Sequence, residues 1–201
     1  MDYRKRLLFG PLSAVVFVVG TTLVALFLPG YSHVRQAVSD IGAQGTPTRL
    51  AFAGVIYALA LCLLGFAYGL RDFARTFRLP ALPAYLTLFV VASQIGIATF
   101  AAPHRLPEAF GLVSLVGYQA PGTLAVGWRH IPALKPVVFV SWLVFAALWI
   151  VTAVILLPDF SPLAHALEPV AGLVQRLLFV AWFGWCAWIG VSLSRLNMPV
   201  L

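Results

Sequence analysis

The chain alternates six long apolar runs with short polar connections. The runs lie at about residues 7–29, 50–70, 82–102, 110–128, 137–157 and 172–193. Each run is close to the ~20 residues that an α-helix needs to cross a bilayer. Because no connection is long enough for a soluble domain, the pattern predicts a single all-α transmembrane domain over residues 1–201, a polytopic helical bundle of six spans.

The fourth run is the least regular of the six. It contains Gln119 and Pro121 together with three glycines, Gly117, Gly122 and Gly127. A proline inside a helix removes a backbone donor and kinks the helix. The sequence therefore predicts a break in this span, with neighbouring groups satisfying the freed carbonyl.

Composition and charge also favour a membrane protein. The 201 residues are 62% hydrophobic and 9% charged, whereas soluble domains carry about 25% charged residues. The net charge of +7 does not indicate a nucleic-acid partner, because the basic residues stand in short clusters between apolar runs, as topology signals do. Cys62 and Cys186 both fall inside apolar runs, so neither a disulfide framework nor a cysteine zinc site is expected.

The distribution of Lys and Arg predicts the orientation. The side that holds both termini carries nine of these residues and the other side carries four. The nine are Arg4, Lys5, Arg6, Arg71, Arg75, Arg78, Arg129, Lys135 and Arg195; the four are Arg35, Arg49, Arg105 and Arg176. Since basic residues concentrate on the cytoplasmic side, we expect a multi-pass protein of the inner (plasma) membrane with cytoplasmic N- and C-termini.

The predicted outer face holds mixed polar residues from which a site could be made. The candidate cluster comprises His33, Ser39, Asp40, His104, Glu108, Gln175 and Arg176. Zinc would need three or four nitrogen, oxygen or sulfur ligands, but the sequence has no fixed-spacing metal motif such as H-E-x-x-H. The pattern leaves open whether the cluster holds a metal, a lipid headgroup or nothing. No catalytic residue and no cofactor are predicted.

The longest outer connection is predicted to contain a short amphipathic helix. Val34, Val38 and Ile41 recur on one face of residues 32–41, between a Ser32 N-cap and a Gly42 stop. Such a helix would lie at the membrane interface, with this apolar stripe facing the bundle or the acyl chains.

Arg176 begins the last span, where an unpaired guanidinium is costly. Asp40 is the favoured partner among the outer acids, because its helix must fold back over the bundle to bury the stripe. We therefore expect Arg176 to lie within salt-bridge or single-water distance of Asp40, with Ser39 and Gln175 nearby as polar support. If the site is functional, Arg176 would also face a polar pocket that contains His33.

Two of these segments resemble a known family. Pro29-Gly-Tyr-Ser-His33, followed by Val38-Ser-Asp-Ile-Gly42 and Gly45-Thr-Pro47, together with Gly172-Leu-Val-Gln-Arg176, resemble the bacterial membrane proteins of the domain-of-unknown-function 998 family. The resemblance implies a membrane fold but no chemistry. Family members often carry a histidine entering the fourth span, where this chain has Ser114. The family's acidic residue in the third connection would correspond to a displaced Glu108.

Three functions remain compatible with these patterns. The leading one is an accessory subunit or lipid-binding scaffold of a membrane assembly, with membrane lipids and possibly other membrane subunits as partners. Trp182, Trp185 and Trp188 recur along one face of the last span, which would pack either on a partner or inside the bundle. The alternatives are a metal-dependent lipid hydrolase or transferase at the outer leaflet, and a small transporter. The scarcity of ionisable residues in the spans disfavours the transporter.

The nine-to-four charge count generates a topology prediction. Reporter fusions at the C-terminus and within residues 31–49 should report opposite sides of the membrane. A cytoplasmic signal from the 31–49 fusion would overturn the assignment of the polar cluster to the outer face.

Overall fold

The computed structural model describes residues 2–100, 105–158 and 160–196, and all regular structure among them is helical. Six stretches are long and apolar enough to cross a membrane, which confirms the predicted fold class. They cover Tyr3–Ala25, Arg49–Thr76, Leu82–Thr99, Ala109–Trp128, Pro132–Ile155 and Pro162–Arg195, and are called spans 1 to 6 below.

Four of the spans, namely spans 1, 4, 5 and 6, are built from several helical segments. Span 1 comprises Tyr3–Leu7, Phe9–Val15, a π-helical Val16–Gly20 and Thr21–Ala25. Span 5 begins with a 3₁₀ turn, Pro132–Leu134, and continues as Lys135–Ile155. Span 6 comprises Pro162–Leu167, a 3₁₀ turn at Glu168–Val170, and Ala171–Arg195.

The predicted break in the fourth span is confirmed. One helix covers Arg105–Gly117 and a second covers Ala120–Trp128. Pro121 lies in the first turn of the second helix, where a backbone N–H would have no partner within the helix. The interruption therefore falls just before the proline, and the Gln119 carbonyl accepts a hydrogen bond from the Thr123 N–H at 2.9 Å.

The spans form a ring in sequence order. Each span packs against its neighbours in the sequence, and span 6 returns to pack along span 1. Since successive spans are antiparallel, both termini lie at one end of the bundle, called the terminal end. The 26–48 connection and the start of the Ala171–Arg195 helix lie at the opposite end, called the Arg176 end.

Glycines allow spans 1 and 6 to touch backbone to backbone. A methyl group at Gly10 would overlap the carbonyl oxygen of Cys186, and one at Gly190 would overlap the carbonyl oxygen of Leu7. Small residues at such crossings let helices approach closely and gain van der Waals contact, which stabilises helix pairs in lipid. These two positions therefore fix how the last span closes the ring onto the first.

Aromatic side chains fill much of the bundle interior. Trp128, Trp182 and Trp185 are almost completely buried. The indole N–H of Trp185 donates to the Ser141 hydroxyl at 2.9 Å. Trp188 is 37% exposed, so of the three tryptophans spaced along the last span, two pack inside the bundle and one faces outward.

Residues 32–41 do not form the single helix that their apolar spacing predicts. Residues 33–35 make a turn, Ala37 is extended, and a 3₁₀ helix covers Val38–Gly42. Val38 and Ile41 are buried as predicted, but Val34 is 42% exposed. The 3₁₀ helix packs against spans 1, 2 and 6. The physical reason for the broken helix lies in the contacts described next.

Candidate functional site at the start of the last helix

The guanidinium of Arg176 is held by the 26–48 connection. Its Nη1 donates to the carbonyl oxygens of His33 at 2.6 Å and Gln36 at 3.0 Å, and to that of Gly172 in its own helix at 3.0 Å. Its Nη2 donates to the Tyr31 hydroxyl at 2.6 Å and to Nδ1 of His33 at 3.1 Å. Both terminal nitrogens are therefore satisfied by the chain itself.

The residues around Arg176 engage the same stretch of backbone. A methyl group at Gly172 would overlap the Gln36 carbonyl oxygen, so only glycine allows this close approach. The Leu173 N–H, which has no partner within its own helix, donates to the Val34 carbonyl at 3.1 Å. The side-chain oxygen of Gln175 accepts the Val38 N–H at 2.6 Å.

These contacts explain why residues 32–41 are not one helix. A helix would pair the His33 carbonyl with the Ala37 N–H, and the Val34 carbonyl with the Val38 N–H. Instead the two carbonyls accept from Arg176 and Leu173, while the Val38 N–H donates to Gln175. Both partners of each helical bond are thus taken elsewhere, and the stretch from His33 to Val38 docks on span 6 through its own backbone.

Tyr31 completes this network from the preceding turn. Gly30 has φ +73°, a conformation that glycine adopts without strain, and it delivers Tyr31 to the site. The Tyr31 hydroxyl accepts from Arg176 and donates to the Ala37 carbonyl at 2.8 Å. Burial raises the pKa of Tyr31, against the opposing effect of the Arg176 hydrogen bond and charge. The neutral phenol therefore bridges Arg176 and the loop backbone by hydrogen bonds.

His33 is neutral in this arrangement. A guanidinium can only donate hydrogen bonds, so Nδ1 of His33 must accept from Arg176 and the ring proton must lie on Nε2. Burial lowers the pKa of His33, and the charge of Arg176 lowers it further. The structure therefore places His33 beside Arg176, as the sequence predicted, but as an uncharged acceptor.

The sequence predicted Arg176 within salt-bridge or single-water distance of Asp40, and the described residues contain no direct ion pair between the two. Among the described residues, the ion pairs within 4.0 Å are Arg6–Asp72 and Arg71–Asp72. The Asp40 carboxylate instead accepts the Ala37 N–H at 2.9 Å. In a continuous helix this N–H would have donated to the His33 carbonyl. Ser39 is exposed. Arg176 does fasten the connection to the last span, but backbone carbonyls rather than a carboxylate receive its donors.

The other predicted site residues are not brought into this cluster. His104 and the side chain of Glu108 lie outside the described part of the structure. His165 is exposed in the short Pro162–Leu167 helix. Within residues 2–100, 105–158 and 160–196, no three His, Cys, Asp or Glu side chains are grouped closely enough to hold a metal ion.

Sequence reasoning missed Tyr31, Gln36 and Gly172. Tyr31 and Gly172 belong to the two segments that carry the family resemblance, so the motifs themselves were the available signal. Gln36 contributes its backbone carbonyl to Arg176, and its side-chain oxygen accepts the Ser32 N–H at 2.7 Å. A backbone carbonyl has no signature in the sequence, so this role could not be deduced from residue type.

Replacing Arg176 should damage the fold, and lysine should not rescue it. Lysine cannot place two donor groups in the planar fork that reaches both the loop carbonyls and Tyr31. We expect Arg176→Lys and Arg176→Met each to lower the free energy of unfolding in detergent by about 2–4 kcal/mol, since charged hydrogen bonds contribute about 1.5–3 kcal/mol each. The exposed Arg35→Met serves as the matched control.

A charge swap separates this network from an ion pair. The Asp40→Arg/Arg176→Asp double variant should show no recovery over Arg176→Asp alone. Clear recovery in the double variant would contradict the carbonyl network and restore the ion pair.

The titration of His33 should make stability depend on pH. Because its pKa is lowered in the folded protein, the unfolded chain binds more protons near and below the ordinary histidine pKa of about 6.5. The free energy of unfolding should therefore fall as the pH is lowered from 7.5 to 5.5. His33→Asn should flatten that slope and His165→Asn should not, as measured by thermal melting in detergent at each pH.

Comparison with known proteins places this site in a family. The family described as "Protein of unknown function (DUF998)" matches residues 11–192, which include both segments of the Arg176 network. No curated protein and no solved structure matches the chain. The match covers nearly the whole chain and agrees with the resemblance that the sequence motifs indicate. The chain therefore belongs to the DUF998 family of proteins of unknown function.

Proposed function

We propose that this protein is a non-catalytic component of a membrane assembly, acting as an accessory subunit or lipid-binding scaffold. The observation that carries the proposal is the use made of Arg176. Both of its terminal nitrogens bond to groups of the chain itself. A guanidinium so occupied fastens two parts of the fold together and has little capacity left to bind a substrate phosphate or carboxylate.

The neighbouring polar groups support the same role. His33 is engaged with Arg176, the Asp40 carboxylate holds the Ala37 N–H, and the Gln175 oxygen holds the Val38 N–H. A catalytic acid, base or nucleophile must reach a substrate atom within hydrogen-bond distance. In this cluster those three side chains are used to fasten the outer connection.

Span 5 offers a surface for an apolar partner. Only 17% of its apolar window is buried, against 44% in spans 2, 3, 4 and 6. Its outward face exposes Phe139, Trp142, Leu143 and Ile150. Membrane lipids or a helix of another membrane subunit would suit this face. We place the protein in the inner (plasma) membrane with both termini in the cytoplasm, following the distribution of basic residues.

Site-specific photo-crosslinking in native membranes tests this role. A photoreactive residue at Leu143, on the outward face of span 5, should yield one protein adduct if the chain is a subunit, or defined lipid adducts if it is a scaffold. The matched control is Leu12, which span 1 exposes to a similar degree. Leu12 should give only bulk-lipid adducts.

Native purification followed by metal and activity analysis supplies the opposing outcomes. One zinc ion per chain, combined with hydrolysis of membrane lipids, would replace the proposal with the enzyme alternative. Solute flux in proteoliposomes that contain this protein alone would replace it with a small transporter.

A further inference from the structure

A hollow with basic residues at its mouth lies between spans 1 and 2, at the terminal end. Its volume is about 440 Å³, and it is lined by Arg6, Phe9, Leu61, Leu64, Gly65, Tyr68 and Arg71. The Phe9 ring lies directly over Gly65, where a methyl group would stand 2.8 Å from the ring. The absence of a side chain at Gly65 therefore allows the Phe9 ring to pack directly on the backbone of span 2. The hollow has apolar walls and a charged rim.

The rim carries more positive than negative charge. Arg6 and Arg71 both form ion pairs with Asp72, so two guanidiniums share one carboxylate. Arg71 also lies over the Tyr68 ring, with its guanidinium carbon 5.1 Å from the ring centre. This ring and carboxylate fix the direction of the Arg71 side chain. A single acid leaves one net positive charge at the rim.

The guanidinium of Arg71 remains within reach of a ligand. Its side chain is 29% exposed and lines the hollow, and its Nη2 donates to the Asp72 carboxylate at 3.3 Å. Guanidinium groups suit phosphate because they present several donors in a planar fork. The net charge and the exposed part of the guanidinium therefore both favour an anionic oxygen ligand at Arg71.

Space for an acyl chain adjoins the charged rim. A second hollow of about 210 Å³ is lined by Tyr57, Ala60, Leu61, Leu64, Val91 and Ile95, and shares Leu61 and Leu64 with the first. The helical distance from Tyr68 to Tyr57 is about 16 Å at 1.5 Å per residue. This is close to half of the ~30 Å hydrocarbon thickness, which is the depth of one leaflet.

We propose that the rim formed by Arg6 and Arg71, with the adjoining hollows, binds an anionic phospholipid of the leaflet at the terminal end. The phosphate lies at Arg71 and the acyl chains follow Leu64 and Leu61 toward Tyr57. An amphiphile is favoured over free phosphate because the apolar walls match a hydrocarbon chain, and basic sites between transmembrane helices suit anionic headgroups. This inference rests on the lipid-binding form of the proposed function and names its lipid class.

Lipid titration of the full chain in detergent tests the site. Retention of phosphatidylglycerol and of phosphatidylcholine is measured by native mass spectrometry, with inorganic phosphate as a competitor. The wild type should bind phosphatidylglycerol about fivefold or more tightly than phosphatidylcholine, the size expected for one basic residue at a membrane surface. Arg71→Gln should abolish this preference, while Arg6 still pairs with Asp72. The matched control is Arg75→Gln, since Arg75 is exposed one turn further along the same helix.

Several results would overturn the proposal. They are equal affinity for the two lipids, equal weakening by Arg71→Gln and Arg75→Gln, and displacement of the lipid by millimolar inorganic phosphate. If Arg71→Gln does not fold, Leu61→Trp replaces it, because a larger side chain fills the hollow without changing any charge. Unchanged phosphatidylglycerol binding in a folded Leu61→Trp variant would also reject the site. A protein adduct at Leu143 combined with no lipid preference would reject this lipid site and retain the proposed role as a subunit.

Discussion

The hydrogen bonds from Arg176 to the carbonyl oxygens of His33 and Gln36, at 2.6 and 3.0 Å, hold one end of the bundle closed. Their origin is a general constraint: backbone groups near a bilayer must find partners, because hydrocarbon offers none. Residues 33–37 form no regular helix that would satisfy their backbone groups, so the first turns of the last helix satisfy several of them. Gly172 allows the backbone of this stretch to approach closely. The Leu173 N–H donates to the Val34 carbonyl, and the Gln175 side-chain oxygen accepts the Val38 N–H. Because the connection docks in this way, its apolar side chains Val38 and Ile41 are buried against the bundle.

The same bonds determine what the polar cluster can do. Histidines and arginines at a membrane boundary often indicate an ion path or a substrate site. Here the arginine faces backbone carbonyls and a neutral histidine, so its charge is dispersed over dipoles instead of being paired with an acid. His33 cannot gain a proton at Nδ1 without losing its bond to Arg176, since the guanidinium has no acceptor. Chemistry at this site would therefore loosen the connection that the site holds in place.

The sequence predicted the parts of the fold that depend on periodicity and composition. Six apolar runs correspond to six spans, and Pro121 correctly marked the interruption of the fourth. The sequence also indicated that Arg176 lies near His33, because a charged side chain at the membrane boundary needs polar partners. The single helix over 32–41 was wrong, and the described residues contain no direct Arg176–Asp40 ion pair, for one shared reason. Side-chain patterns do not reveal a competitor for backbone hydrogen bonds, and Arg176 competes successfully for the carbonyls that the helix would have used. The ring order of the spans and the contact of Gly10 with Cys186 likewise depend on packing that no single segment encodes.

Two arginines near opposite ends of the bundle show how one residue type takes different roles. Arg176 meets three carbonyl oxygens, a phenol and an imidazole, and both of its terminal nitrogens are used. Arg71 meets one oxygen of a carboxylate that it shares with Arg6, and among the described residues its buried Nε has no acceptor. The difference lies in the connecting chain: a long connection at the Arg176 end folds back and supplies backbone acceptors, whereas the short turn after Thr76 supplies none to Arg71. We propose that a phospholipid phosphate binds the exposed part of the Arg71 guanidinium, because headgroups lie at the depth where an arginine at the end of a span emerges. The shortness of the turn after Thr76 is thus consistent with lipid as the proposed partner of the terminal end.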